Sequence, residues 1–437
     1  MEQKEAFEKA HTKLRSKFYR LLKSYRRDEN GIRIKFPSFA MYCSTIRLIK
    51  SVLMYDASAE IRVKHMKPVT CPFQKTPPPT KEEIEIMESC PKADIENLEE
   101  LLEEENLSLY IPSMEDGVEV LLRTDKEYFE ETEPPYRLRE DEEGNVYSRY
   151  VENDQEGQYW LCKSRVSVLI LKLKESEKQR KRPAVVFLHS LNKDKESLRP
   201  LLKAYASRGY IAISMDTAHH GERALCTDAF RDALIFSWHV AKTLPLYETV
   251  WDLMVLADYL TKREDIDPSR IGITGIALGG MYAWFGAFFD TRYAVVVPVI
   301  GVQGFRWVAD NGKWNDQNDA FKFLFDVARH NLGKDVIDKL TVEKALNRIA
   351  PGLLYHFDSP RTIPAIAPRP LLIINGSEDP CCPVASLEVT RSKATEAYEA
   401  FQCLDHFKVI VEPGVGHQLT TFQLKEAADW FDKFLNP

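Results

Sequence analysis

Three short segments of this sequence carry residue types suited to acyl chemistry, and the first lacks its reagent. Ile271-Gly-Ile-Thr-Gly-Ile-Ala-Leu-Gly-Gly280 reads as an apolar strand, a sharp turn and a helix start. A Gly-x-Ser-x-Gly phrase with that layout lifts a serine oxygen to the top of a sheet on a strained turn. Here the apex residue is Ala277. A methyl group has no lone pair to attack a carbonyl, so no acyl-enzyme can form there. Asn375-Gly-Ser-Glu-Asp379-Pro-Cys-Cys-Pro383 follows a second apolar run, and Gly414-Val-Gly-His417 follows the last one. In that order Asp379 is placed to orient His417 and to stabilise its charged form. His189-Ser190-Leu191 follows the run Ala184–Leu188. The backbone N–H groups of Leu278 and Leu191 are therefore candidates for an oxyanion hole.

A second group of polar residues lies on the loop after another strand: Asp216, His219, His220, Glu222 and Arg223. Their side chains include metal-ligand types, but no second cluster has metal-ligand spacing, so neither metal nor cofactor is expected. His220 and Arg223 are read as ties for the loop. His189, Ser190, His219, His220 and Trp307 are candidate substrate contacts. The adjacent Cys381 and Cys382 are read as packing residues. Cys382 neighbours the acid, and nothing in the spacing places it by the histidine.

These residues need a scaffold, and the pattern supplies one. Apolar runs at 166–171, 184–188, 210–215, 271–274, 294–299, 371–374 and 407–411 read as strands. Helical patterns at 196–207, 247–261, 280–289 and 422–435 alternate with them. Such alternation predicts an α/β fold, a mostly parallel sheet with helices on both faces. The interval 302–360 breaks the alternation. It is mainly helical and aromatic, including Phe305, Trp307, Trp314, Phe321, Phe323 and Phe325, as suits a cap over the strand ends. The expected organisation is an N-terminal helical extension and linker over 1–110, an acidic irregular or short-stranded excursion over 111–160, and the main domain over 161–437. Within the extension, a helix over 5–27 docks on the main domain rather than on a membrane surface. An apolar stretch at 41–54 packs with it, residues 71–81 form a proline-rich linker, and 95–105 form an acidic helix with a solvated face.

Composition limits the partners. The chain has 437 residues, 44% hydrophobic and 29% charged, with a net charge of −7. That charge disfavours nucleic acid as a general partner. No apolar stretch is long enough for a membrane span. The polar N-terminus lacks a signal-peptide core. Eight cysteines without paired spacing point to reduced thiols and a cytoplasmic setting. A small-molecule substrate or ligand is the expected partner, and the oligomeric state is left open.

The phrases Phe187-Leu-His-Ser190, Ala204-Tyr-Ala-Ser-Arg-Gly-Tyr210, His220-Gly-Glu-Arg223 and Asp267-Pro-Ser-Arg-Ile-Gly-Ile-Thr-Gly275 resemble the α/β-hydrolase superfamily. Within it, the chain is similar to the dienelactone-hydrolase and acetyl-esterase-like branch, and especially to a group of plant hydrolase-like proteins. The resemblance covers about residues 160–437, with weaker N-terminal helices. It implies the α/β-hydrolase fold with a helical cap, metal-free chemistry, and Asp379 and His417 as acid and histidine. At the nucleophile position the family pattern has serine where this chain has Ala277. Three functions follow. One is a repurposed enzyme using a His–Asp base and an oxyanion hole for cyclase, lyase or isomerase chemistry on a carbonyl metabolite. Another is a serine esterase of small esters or lactones captured as a serine-to-alanine variant. The third is a non-catalytic small-molecule receptor.

Overall fold

The apolar runs read as strands all join one large sheet. In the computed structural model the described residues are 2–24, 62–65, 76–110, 136–140, 146–150, 165–174, 181–224, 227–240, 245–317 and 319–437. The strands are β1 (Arg62–His65), β2 (Leu102–Tyr110), β3 (Tyr136–Glu140), β4 (Val146–Tyr150), β5 (Arg165–Leu173), β6 (Arg182–Leu188), β7 (Ile211–Met215), β8 (Ile266–Ile276), β9 (Tyr293–Val299), β10 (Leu371–Gly376) and β11 (Phe407–Glu412). Nine of them pair in the order β1-β2-β5-β7-β6-β8-β9-β10-β11. From β7 to β11 every pairing is parallel. The pairings among β1, β2, β5 and β7 are antiparallel. This is the α/β-hydrolase architecture expected from the sequence.

Alternation along β6 shows how the sheet divides its core. Ala184, Val186 and Leu188 face one layer, Val185 and Phe187 the other, and all five are buried. The first layer holds α6 (Pro245–Leu260), α7 (Leu278–Phe289) and α12 (Val384–Ala400). The second holds α2 (Lys81–Glu88), α4 (Arg199–Ser207) and α13 (Thr421–Leu435). A strand buried on both faces reads as a continuous apolar run, which is why these strands were legible. The cap comprises α8 (Phe305–Asp310), α9 (Asp319–Asn331), α10 (Lys339–Ile349) and α11 (Ser359–Thr362), with α9 and α10 packed on α5 (Ala229–Val240). Phe305, Phe321 and Phe325 are buried in the core, whereas Phe323 is exposed. No helix among the described residues is long and apolar enough to cross a membrane.

The N-terminal helix α1 (Glu2–Ser24) docks on the main domain. Phe18 is fully buried among the rings of Tyr247, Phe288, Phe289 and Phe357. Arg15 Nε donates to the Phe288 carbonyl at 2.9 Å and Arg369 Nη2 to that of Ala287 at 2.6 Å. Both guanidiniums thus meet the last carbonyls of α7, where a helix favours positive charge. The apolar stretch at 41–54 lies outside the described residues. So does most of the 111–160 excursion, apart from the antiparallel pair β3–β4.

The expected acidic helix over 95–105 is corrected. Only α3 (Leu98–Leu101) is helical, and the chain then enters β2, so the segment assigned to the extension adds strands to the main sheet. Its carboxylates are not merely solvated. Glu104 meets Arg199, and Glu105 meets both Lys172 at 2.9 Å and Arg263 at 2.8 Å. Asp265 shares those two cations, at 2.9 and 2.7 Å. Pairing with β5 and burial of Leu107 and Leu109 outweigh the local helical preference.

The turn from β8 into α7 positions the centre of the candidate site. Ala277 sits at φ 52°, ψ −112°, and its N–H donates to the Val299 carbonyl at 2.9 Å. Such a conformation strains any residue with a Cβ. Gly279, one step inside α7, lies so near the Leu188 carbonyl that a Cβ there would collide with it. The elbow is thereby pressed against the end of β6.

Two outcomes follow. Replacing Ala277 by glycine removes about 1–3 kcal/mol of strain and gives back less than about 1 kcal/mol in unfolded-chain entropy. The Ala277→Gly chain should therefore gain about 1 kcal/mol, read as a higher urea midpoint. The second outcome concerns Glu105. Burial alone would raise its carboxyl, but Arg263 and Lys172 outweigh that and hold it at about 2, down from 4.5. A depressed folded value means stability that is full above pH 4.5 and is lost as pH falls through about 2. Glu105→Gln should cost about 2 kcal/mol at neutral pH, and the difference from the parent chain should vanish across that acid window in urea melts.

Candidate active site

Asp379 lies in the turn after β10, and its side chain is fully buried. Its Oδ1 accepts the backbone N–H groups of Cys381 at 2.8 Å and Cys382 at 2.9 Å. Its Oδ2 lies 2.8 Å from His417 Nδ1. A carboxylate oxygen accepts, so Nδ1 carries the hydrogen and Nε2 keeps its lone pair. The His417 side chain is 31% exposed, which leaves that nitrogen within reach of a bound molecule. The two loops are locked together. Glu378 N–H donates to the Val415 carbonyl at 2.9 Å, and Gly414 N–H to Ser377 Oγ at 2.8 Å. A Cβ on Gly376 would run into the Val415 carbonyl, so glycine is needed where the loops cross.

Ala277, Asp379 and His417 follow β8, β10 and β11 at one edge of a parallel sheet, where ligands of open α/β sheets bind. Ile300, just past the intervening β9, links the two sides. Its N–H donates to the Ile374 carbonyl at 2.8 Å and its carbonyl accepts from Cys382 Sγ at 3.5 Å. Leu278 is the first residue of α7, so its N–H has no acceptor within the helix. Leu191 lies in the turn after β6 and packs on the same core cluster as Leu278. The helix N-terminus also favours developing negative charge.

The polar loop residues turn out differently. His189 has no exposed surface. Its Nδ1 donates to the Ser190 carbonyl at 2.8 Å and its Nε2 accepts the Thr217 N–H at 3.1 Å. With both nitrogens spent and burial lowering its pKa, it is a neutral strut rather than a substrate contact. His220 is buried as well, with Nδ1 donating to the Ala218 carbonyl at 3.0 Å, and burial pushes its pKa well down. It is a strut of its loop, in line with its reading as a loop tie and not with its reading as a substrate contact. His219 stands at φ 63° with Nε2 2.9 Å from Glu248. Ser190 and Trp307 are half-buried, the latter on α8 in the cap.

Asp216 anchors this loop. It accepts the N–H groups of Lys195 at 2.8 Å and Glu222 at 3.0 Å. Burial would raise its carboxyl, yet Lys195 and these donors hold it down. Arg223 donates to the Asp216 carbonyl at 3.2 Å and pairs with Asp252, so it does tie the loop. The loop forms no metal-ligand set among the described residues, where one group of side chains alone comes together in that way. That group is Asp379, Cys381 and His417, whose ligand atoms all lie within 4.8 Å of one another.

Sequence reasoning missed Cys381. It weighed Cys382, which is buried against Ile300, whereas the tight turn after Asp379 sends the preceding thiol toward His417. Burial, then Asp379, pushes the Cys381 thiol up to about 11. The cap reaches the same turn: Gln317 Nε2 donates to the Cys381 carbonyl at 3.3 Å, and Cys381 Sγ to the Asp316 carbonyl at 3.2 Å.

Two proteins of Bacillus subtilis (strain 168) are similar in sequence. "Putative hydrolase YtaP" is 27% identical over 187 residues, 43% of this chain and 53% of that protein, so the match spans about half of YtaP. "Putative esterase YitV" is 22% identical over 267 residues, 60% of this chain and 93% of that one. Among solved structures, acetyl xylan esterase from Paenibacillus sp. R4 is 19% identical with a TM-score of 0.47, covering 62% of this chain and 80% of that chain. Acetyl xylan esterase 1 from Thermoanaerobacterium sp. JW/SL YS485 is 18% identical with a TM-score of 0.41, covering 82% and 98%. The family described as the prolyl oligopeptidase family, Peptidase_S9, matches residues 202–437, more than half of the sequence, and the chain belongs to it.

Proposed function

We propose that this chain is a repurposed member of its hydrolase family, using a His–Asp base and an oxyanion site for non-hydrolytic chemistry on a small carbonyl metabolite. The observation that carries the reading is the His417–Asp379 hydrogen bond of 2.8 Å, kept in a chain whose elbow residue is Ala277. Loss of a triad serine costs about a millionfold in turnover, and roughly a thousandfold or more over water survives through binding and the oxyanion hole. Acyl-enzyme hydrolysis is closed to this chain. A general base beside preorganised N–H donors is not.

In this reading the substrate carbonyl oxygen lies at the start of α7, receiving the N–H groups of Leu278 and Leu191. His417 Nε2 removes a proton from the adjacent carbon, and the electron pair moves onto the carbonyl oxygen as an enolate. Asp379 stabilises the imidazolium. The enolate then cyclises, eliminates a leaving group or is reprotonated by His417 at a new position. Trp307 and Ser190 are the candidate substrate contacts that the structure leaves partly exposed. No cofactor is required. The resemblance to plant hydrolase-like proteins supports a role in specialised metabolism, and eight cysteines without paired spacing support a cytoplasmic setting.

A second reading is a serine esterase represented by its serine-to-alanine variant. The backbone at Ala277, strained for any residue with a Cβ, favours it, since a serine would fit unchanged. Mass spectrometry of plant extracts incubated with the parent chain, Ala277→Ser and His417→Ala separates the readings. The parent should convert a carbonyl metabolite, His417→Ala should lose about a hundredfold or more of that rate, and Ala277→Ser should not raise it. Ester cleavage gained only with the serine would establish the esterase. A ligand that stabilises all three proteins without product would establish a receptor.

A further inference from the structure

Cys381, Asp379 and His417 combine a thiol, a carboxylate and an imidazole within 4.8 Å, on two loops that the structure locks together. A divalent ion of zinc type binds such donors at about 2.0–2.3 Å, which sets tetrahedral ligand pairs roughly 3.5 Å apart. The 2.8 Å separation of Asp379 Oδ2 and His417 Nδ1 must therefore open by somewhat under 1 Å. The partly exposed His417 ring is the side that can move, because Asp379 is fully buried and held by two backbone N–H groups. Three protein ligands leave a fourth position open to water. The thiolate selects soft or borderline ions over magnesium or calcium.

We infer that Asp379, Cys381 and His417 form a site for a thiophilic divalent cation, with Zn²⁺ as its type, and that occupancy silences the histidine as a base. The proton balance gives the reason. Metal on Nδ1 requires that nitrogen to give up its hydrogen, and the ring takes a proton on Nε2 instead. Cys381 releases its thiol proton to solvent, so one proton leaves per ion bound. With Nε2 protonated, His417 has no lone pair to offer a substrate. Binding stands without any assumption about the reaction. Only the silencing rests on the His–Asp base reading.

Calorimetry with Zn²⁺ and absorption spectroscopy with Co²⁺ on the full chain test the site. The parent should bind one Zn²⁺ with release of one proton, and its Co²⁺ form should show a thiolate-to-cobalt charge-transfer band. Cys381→Ser should lose that band and at least about tenfold in affinity. His417→Ala should also bind at least about tenfold more weakly. Cys403→Ser, at a half-buried thiol outside the cluster, should match the parent, and Mg²⁺ should not bind. A band of full strength in Cys381→Ser, or no binding by the folded parent, would overturn the site. Binding as described without loss of turnover would leave the site standing and refute the base reading instead.

Discussion

The site depends on one backbone approach that leaves no room for a side chain. Gly279 rests against the carbonyl of Leu188, so the first turn of α7 is seated on the end of β6. That contact lies between the positive-φ turn at Ala277 and the loop that begins at His189. A single Cβ at Gly279 would meet the Leu188 carbonyl and push the first turn of α7 away from β6. The other end of α7 is held as firmly, by Arg15 and Arg369 on its last carbonyls. One helix thus carries a strained, electropositive start at the active edge and a charge-compensated end under the N-terminal helix.

Asp379 and His417 are fixed by a separate device. The turn after β10 supplies two N–H donors to the carboxylate, and the crossing at Gly376 binds the acid loop to the histidine loop. The elbow after β8 and the acid–histidine pair after β10 and β11 therefore stand on one sheet, with β9 between them, without sharing a loop. The methyl group at Ala277 leaves the hydrogen-bonded His417–Asp379 pair intact.

Much of this was legible in the sequence. Parallel strands such as β6 and β7, buried on both faces, appear as short apolar runs, and the elbow glycines mark their own turn. The elements that were misread are governed by partners far along the chain. The run 95–105 looks helical by charge, yet Arg199, Lys172 and Arg263 supply its counter-charges and β5 its hydrogen bonds from Leu102 onward. His189 and His220 look like substrate contacts by residue type and place, but both are buried in the core, where Thr217 and the Ser190 carbonyl take the two nitrogens of His189 and the Ala218 carbonyl takes Nδ1 of His220. Cys381 was passed over because sequence adjacency does not tell which of two vicinal thiols a tight turn aims at a histidine 36 positions away.

The central claim is that a complete hydrolytic frame surrounds an absent nucleophile. Labelling with a fluorophosphonate probe, which reacts with a serine activated by histidine beside an oxyanion hole, tests it most directly. The parent chain should remain unlabelled, Ala277→Ser should become labelled, and adding His417→Ala to that variant should abolish the label. A folded Ala277→Ser protein that stays inert to the probe would contradict the account.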